Sequence, residues 1–213
     1  MKILSLFDGI SIAQQAFKEL GFEVEYYASE IDKYAIQITQ KNFPNTVQLG
    51  DIKALANELE LIDREWSNDI DLIIGGSPCQ DLSIAKKNRK GLSGERSGLF
   101  WDYVRILKDL KPKYFILENV ASMSKESRQI ITETLWDIEP IIINAALVSA
   151  QNRKRLFWIG KLVDKRHIGR WDSYDYVRVN ISQPENKGIL LKDILEGQND
   201  NVRACSLRGR YMI

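Results

Sequence analysis

What most constrains this chain is a recurring order of apolar strand, tight turn and amphipathic helix. Residues 2–7 read as a strand, and Asp8-Gly9-Ile10 as a turn, with Ser11 and Gln14 spaced as a capping box for the helix that follows. Ile12, Ala13, Ala16, Phe17 and Leu20 recur at helical spacing until Gly21, a helix-terminating residue. A second strand over 22–28 delivers Glu30, and Asp32 caps a second helix that stops before Pro44. A third strand over 45–49 leads through Gly50-Asp51-Ile52 into a helix over 53–62. Strands that alternate with helices in this way build an open, mostly parallel α/β sheet of Rossmann-like form, with helices on both faces.

The run Asp71-Leu-Ile-Ile-Gly-Gly-Ser-Pro-Cys79 then reads as a buried strand feeding a rigid loop that presents a thiol. In such sheets ligands sit beyond the carboxyl ends of the strands, so Cys79 stands either as a reactive group or as a small buried hydrophobe. After it comes a basic, glycine-punctuated stretch, 85–96, without apolar periodicity, which reads as a solvated face or as a lid that meets phosphates. Leu99, Tyr103, Leu107 and Leu110 predict a helix over 97–110, ended by Pro112. Tyr114-Phe-Ile-Leu is a strand that brings Glu118-Asn119-Val120 to the same edge. A helix over 125–136 follows. Strands over 141–148 and 155–160, joined by a polar turn carrying Arg153, predict an antiparallel hairpin at the sheet edge, with Arg155 opening its second strand. Past Lys161 the pattern weakens to a short helix over 190–195 and a strand-like start after Cys205.

Composition narrows the class without naming a partner. A chain of 213 residues, 44% hydrophobic and 28% charged, is long enough for one core. Its net charge of +1 argues against coating nucleic acid wholesale, though not against a local basic loop. Cys79 and Cys205 show no metal-type spacing and no disulfide framework, so a reducing cytoplasm is the expected setting and no metal site is expected. The single histidine, His167, lies in a polar stretch and reads as a surface residue. No apolar run is long enough to span a membrane, and a soluble protein is expected.

Glu30 and Asp51 each follow a strand, where a lone carboxylate is ordinarily a solvated cap. Their recurrence in successive units beside the Gly9 turn favours ligand contact, since an acid at the end of the second strand commonly takes ribose hydroxyls. Gly9-Ile10-Ser11 lacks the further glycines that cradle a pyrophosphate. An adenosyl ligand without phosphates fits better than a nicotinamide dinucleotide.

Phe7-Asp-Gly9 with Glu30 and Asp51, Pro78-Cys79-Gln, Glu118-Asn-Val and Gln151-Asn-Arg153-Lys-Arg155, in that order, resemble the motifs of the DNA cytosine-5 methyltransferases. The resemblance covers residues 1 to about 160. In detail it is similar to the branch that holds the animal de novo enzymes and related phage or bacterial proteins. It implies the S-adenosylmethionine-dependent methyltransferase fold, with S-adenosyl-L-methionine as cofactor and DNA as partner, in a bacterial or phage-infected cell. Catalytic roles fall on Cys79 as nucleophile, Glu118 at the cytosine N3, Arg155 at O2, and Arg153 at the nucleophile loop or a phosphate. Cofactor contacts fall on Phe7, Gly9, Glu30, Ile31, Asp51, Ile52, Pro78 and Leu99. Substrate contacts fall on Ser83, Lys86, Lys87 and Arg89 in the closing loop, and on Asn119 and Gln151. Double-stranded DNA with a flipped cytosine is the implied substrate, and transfer RNA is the alternative that the same motifs allow. The resemblance further implies that residues 161–213 enter a target-recognition region that is incomplete here. A segment returning to the donor pocket is then expected from elsewhere, such as a second chain, and a silent fragment that binds DNA or a partner is the third reading.

Overall fold

The computed structural model describes residues 1–58, 69–78, 98–164 and 174–194. Cys79, Ser83, Lys86, Lys87, Arg89, the rest of the basic run, His167 and Cys205 lie outside these, as do the distal parts of the helices expected over 53–62 and 190–195. Eight strands are described: β1 (Lys2–Leu6), β2 (Glu25–Ser29), β3 (Val47–Gln48), β4 (Leu72–Gly75), β5 (Tyr114–Val120), β6 (Ile141–Asn144), β7 (Lys154–Asp164) and β8 (Tyr174–Arg178). The described helices are α1 (Ile12–Glu19), α2 (Lys33–Asn42), α3 (Ile52–Glu58), α4 (Leu99–Leu110), α5 (Lys125–Thr134) and the short α6 (Leu191–Ile194).

The sheet runs β3-β2-β1-β4-β5-β7-β6, with β8 on β7. Pairings from β3 through β5 are parallel, and β7 is antiparallel to both β5 and β6. From β1 the chain winds outward to β2 and β3, then returns to lay β4 on the other side. The strand order therefore reverses between β1 and β4, and a ligand crevice is expected at their carboxyl ends.

Alternation along the strands splits the apolar residues between two faces. Leu4, Leu6, Ile73, Phe115, Leu117, Leu156 and Trp158 face a large core closed by α3, α4 and α5. Ile3, Tyr26, Ala28 and Leu72 face the other side, where Ala13 and Phe17 of α1 cover them. Helix α4 contributes most, burying Phe100, Tyr103, Val104, Ile106, Leu107 and Leu110. At about 1.5–3 kcal/mol for each fully buried large apolar side chain, this one helix anchors the middle of the sheet. Gly160 shows how tightly the core is closed, because a Cβ there would lie 2.2 Å from the Phe115 ring.

Several expectations need correction. Ser11 and Gln14 form no capping box: Ser11 sits in the left-handed region at φ 58, its hydroxyl donates to Asp8, and Gln14 Oε1 accepts from the Thr46 hydroxyl at 2.7 Å. The Asp8 turn has taken one side chain and a tertiary partner, Thr46, the other. The strand expected over 141–148 ends at Asn144, whose side chain accepts from Ala146 N and turns the chain into a short 3₁₀ segment, Ala145–Leu147. The antiparallel pair at the sheet edge is as expected; its second strand lies between β5 and β6 and runs to Asp164, and β8 adds beyond it. The Asp32 cap is as expected, accepting from Tyr34 N and Ala35 N.

Candidate active site

The carboxyl end of β1 is shaped by backbone that ordinary residues rarely adopt: Phe7 at φ 59, Gly9 at φ 62 and Ser11 at φ 58. Non-glycine residues in this region cost free energy and persist where the surroundings hold them. Asp8 does the holding. Its carboxylate accepts from the Tyr26 hydroxyl at 2.9 Å and from the Ser11 hydroxyl, and its N–H donates to Ser29 O at 3.2 Å. Thr39 donates to Ser11 Oγ at 3.1 Å, tying α2 to the same turn. Burial lifts the Asp8 carboxyl above its ordinary value, against the lowering effect of hydrogen bonds from Ser11, Ser5 and Tyr26. The Phe-Asp-Gly triplet was visible in the sequence, but Asp8 was not singled out, although it ends a strand as Glu30 and Asp51 do.

Glu30, just past β2, is engaged on both oxygens. Oε2 accepts from Gly9 N at 2.8 Å, and Oε1 accepts from Ile31 N at 2.8 Å and Asp32 N at 2.9 Å. This fixes Glu30 beside the Gly9 turn. Ile31 next to it is 73% exposed, an apolar surface at the mouth of the crevice. Asp51, past β3, is exposed and accepts from Lys53 N at 2.9 Å, whereas the Ile52 side chain turns into the core. Ser29 Oγ donates to Gly50 O at 2.8 Å, stitching the second turn to the third.

These residues fit an adenosyl donor. Gly9 and Gly50 have nothing within 4 Å of where a Cβ would stand, Ile31 offers an open apolar face, and Glu30 and Asp51 place carboxylates at successive strand ends. Phe7 is half-buried at the end of β1, and Pro78 and Leu99 are half-buried past β4 and at the start of α4.

On the other side of the reversal, Gly75 and Gly76 end β4. A Cβ at Gly75 would lie 2.8 Å from the backbone Leu6 O, so that position needs glycine for close approach, and one at Gly76 would lie 2.8 Å from Glu118 Oε2 and would displace that carboxylate. Glu118 of β5 pairs with Arg155 of β7, Nε to Oε1 at 2.6 Å. Burial raises the Glu118 carboxyl above its ordinary value, while Arg155 and Arg153 pull it back down. Asn119 points the opposite way and is buried at 1% exposure. Its Nδ2 donates to Ser77 O at 3.3 Å and Ser77 Oγ at 3.2 Å, and its Oδ1 accepts from Val120 N at 2.8 Å. One side chain thus grips the turn that leads to Pro78. Arg153 and Gln151 are exposed, with Gln151 N donating to Ser149 Oγ at 3.2 Å. The sequence reading missed Ser77, Tyr26 and Thr39; a hydroxyl just before Pro78 was the only local signal among them.

The family described as C-5 cytosine-specific DNA methylase matches residues 1–210. The chain belongs to that family. It is 32% identical over 206 residues to the orphan methyltransferase M.SPRI of Bacillus phage SPR, covering 91% of this chain and 45% of the relative. It is 37% identical to the type II methyltransferase M.NgoPII of Neisseria gonorrhoeae, covering 75% of this chain and 48% of the relative. With M.FnuDI of Fusobacterium nucleatum the identity is 35%, covering 94% and 56%. A solved structure described as a putative DNA modification methyltransferase encoded within a prophage of E. coli superposes with a TM-score of 0.59 at 28% identity, covering 76% of this chain and 46% of that one. The chain spans about half the length of the curated relatives it matches. Among the described residues no helix is long and apolar enough to cross a membrane.

Proposed function

We propose that this chain carries the catalytic centre of an enzyme that methylates C5 of cytosine in DNA, with S-adenosyl-L-methionine as donor. The observation that carries the reading is the convergence at the strand-order reversal: Glu118 held by Arg155 stands against Gly76, and Asn119 grips Ser77 two residues before Cys79. Cytosine C5 is a weak nucleophile until a thiolate adds at C6 and sends the ring electrons toward N3 and C5. Cys79 supplies the thiolate. Glu118, with its carboxyl raised by burial, supplies a proton to N3 as that electron density arrives. Arg155 balances the carboxylate and reaches O2, and Arg153 adds positive charge beside it.

The donor, when bound, supplies a methyl group on a sulfonium, an electrophile for C5. Phe7 and Gly9 receive its methionine side, Glu30 the ribose hydroxyls and Ile31 the adenine face, with Asp51 and the Ile52 backbone at the adenine edge; Pro78 and Leu99 line the pocket. Once C5 carries the methyl, Glu118 takes the N3 proton back, and loss of the C5 proton to solvent with departure of the Cys79 thiolate restores the aromatic ring. Asn119 shapes the nucleophile turn from below rather than meeting DNA. A cytosine within a duplex hides C6 and N3, so the base swings out of the stack, with the basic stretch containing Ser83, Lys86, Lys87 and Arg89 closing over it and Gln151 at its rim. A cytoplasmic setting keeps Cys79 reduced.

The test is transfer of labelled methyl from S-adenosylmethionine to a cytosine-containing duplex, run beside transfer RNA. Label appears in DNA at C5, and Cys79→Ala abolishes it. Transfer that survives the alanine sinks the covalent mechanism, and label in transfer RNA alone changes the substrate.

A further inference from the structure

We propose that Asn144, at the end of β6, is a positioning residue that holds the arginine turn against Glu118; this rests on the reading of Glu118 and Arg155 as the base-facing pair. Nine residues separate Asn144 from Arg153, and one side chain spans them. Its Oδ1 accepts from Arg153 N at 3.0 Å and from Ala146 N at 3.2 Å, while its Nδ2 donates to Asn152 Oδ1 at 3.0 Å. Ala145 N also donates to Arg153 O at 3.0 Å. Both ends of the turn are therefore fixed at one point.

The position matters because of what β7 carries next. Asn144 stands opposite Lys154, and Ile143 opposite Arg155, so the clasp lies one residue pair from the arginine that meets Glu118. Arg153 and Arg155 are two apart, the spacing that places side chains on one face of an extended chain. Fixing the backbone at Arg153 keeps that residue in register with Arg155, and the positive charge of both is felt at Glu118. Without the clasp, the turn keeps its backbone bonds and those of the Ser149 hydroxyl to Ala145 O and Gln151 N, but loses the side chain that joins its two ends, and ordering a loop of this length has an entropic cost. An amide is well suited to this clasp, because a carboxamide oxygen accepts from two N–H groups while its nitrogen serves Asn152. Alanine removes all three bonds, whereas aspartate keeps the two that seat the backbone.

The experiment follows Glu118 directly. Titration of Glu118 by carbon NMR, assigned with Glu118→Gln, is compared between wild type and Asn144→Ala, with donor affinity measured by calorimetry and methyl transfer in a single turnover. Asn144→Ala moves the Glu118 titration upward and slows transfer by about 100-fold, the scale of a misplacement near 1 Å. Donor affinity stays within about twofold, because the donor end of the sheet is untouched. Asn144→Asp, read by transfer, recovers to within about tenfold of wild type, since a single neutral hydrogen bond is lost. An unmoved Glu118 titration in the alanine variant, or an aspartate no better than alanine in a protein that melts as wild type does, overturns the proposal. If the wild type transfers no methyl while Asn144→Ala still shifts Glu118, the reaction is wrong and the positioning stands.

Discussion

At the β1-β2-β3 end of the crevice, charge is answered by main-chain N–H groups and neutral hydroxyls; at the β4-β5-β7 end it is answered by guanidinium groups. Glu30 accepts from three main-chain N–H groups, and the Asp8 turn is locked by Tyr26, Ser11 and Thr39. Glu118 instead faces one guanidinium, 2.6 Å away, with a second arginine acting through space. Main-chain donors cannot swing away or titrate. The first arrangement suits holding a constant ligand in one pose, and the second suits moving a proton on a base that arrives and leaves.

Removing the proposed proton carrier breaks the comparison most sharply. Glu118→Gln keeps the shape and lets the amide accept from Arg155, but it removes the carboxyl proposed to deliver a proton to N3. Methyl transfer falls by about 10²–10⁴-fold, while calorimetry gives the wild-type donor affinity. Equal losses in transfer and donor affinity would show that the two ends are not separable.

The converse change is Glu30→Ala. It frees Gly9 N, Ile31 N and Asp32 N together and removes the carboxylate assigned to the ribose. Donor affinity drops about 10–100-fold, as expected for losing charge-assisted hydrogen bonds, and the Glu118 titration does not move. A donor affinity unchanged by this substitution would remove Glu30 from the pocket.

Acidity sharpens the contrast within the donor end. Burial raises Asp8 above its ordinary 3.8, so the folded chain holds more protons there than the unfolded chain does. That contribution to stability is fully present below the unfolded value and is lost as pH rises through the raised folded value. Urea unfolding across that window shows stability falling with rising pH in the wild type and falling less in Asp8→Asn. Other groups contribute to both proteins alike: Glu118 and Asp102, raised by burial, carry the same sign as Asp8, and Asp71, lowered by Lys113, carries the opposite sign, so the difference between the two slopes is the reading for Asp8. Identical slopes in the two proteins would show that Asp8 is not the buried acid.

The two ends were also unequally legible in the sequence. Strands β1 to β5 announce themselves because apolar runs alternate with helical periodicity, and the acids at their ends follow from the same order. Glu118 is visible because its strand ends on the same edge of the sheet, and Arg153 and Arg155 because Gln151-Asn-Arg153-Lys-Arg155 resembles a family motif. Asp8 with Tyr26, and Asn119 with Ser77, are pairs made by the winding of the sheet across 18 and 42 residues, and no local spacing encodes them. The capping box at Ser11 failed for a partly local reason: Asp8, three residues earlier, takes its hydroxyl proton, and Thr39, brought near by the fold, donates to the same oxygen. The insertion of β7 between β5 and β6 was hidden too, since a hairpin pattern fixes which strands pair and not which one meets the rest of the sheet.

Two helix caps give the finest test, because they match in local role and differ only in location. Asp32 caps α2 by accepting from Tyr34 N and Ala35 N, and Ser124 caps α5 by accepting from Ser127 N. Either cap, replaced by alanine, costs about 1 kcal/mol in urea unfolding. Asp32, however, also donates its own N–H to Glu30 Oε1, so the first turn of α2 is part of the wall that holds Glu30. Asp32→Ala therefore weakens donor binding by up to about fivefold, the equivalent of that 1 kcal/mol, whereas Ser124→Ala leaves donor binding at the wild-type value. If both variants lose stability and neither changes donor affinity, Glu30 is held by its own strand end and not by the helix that follows it.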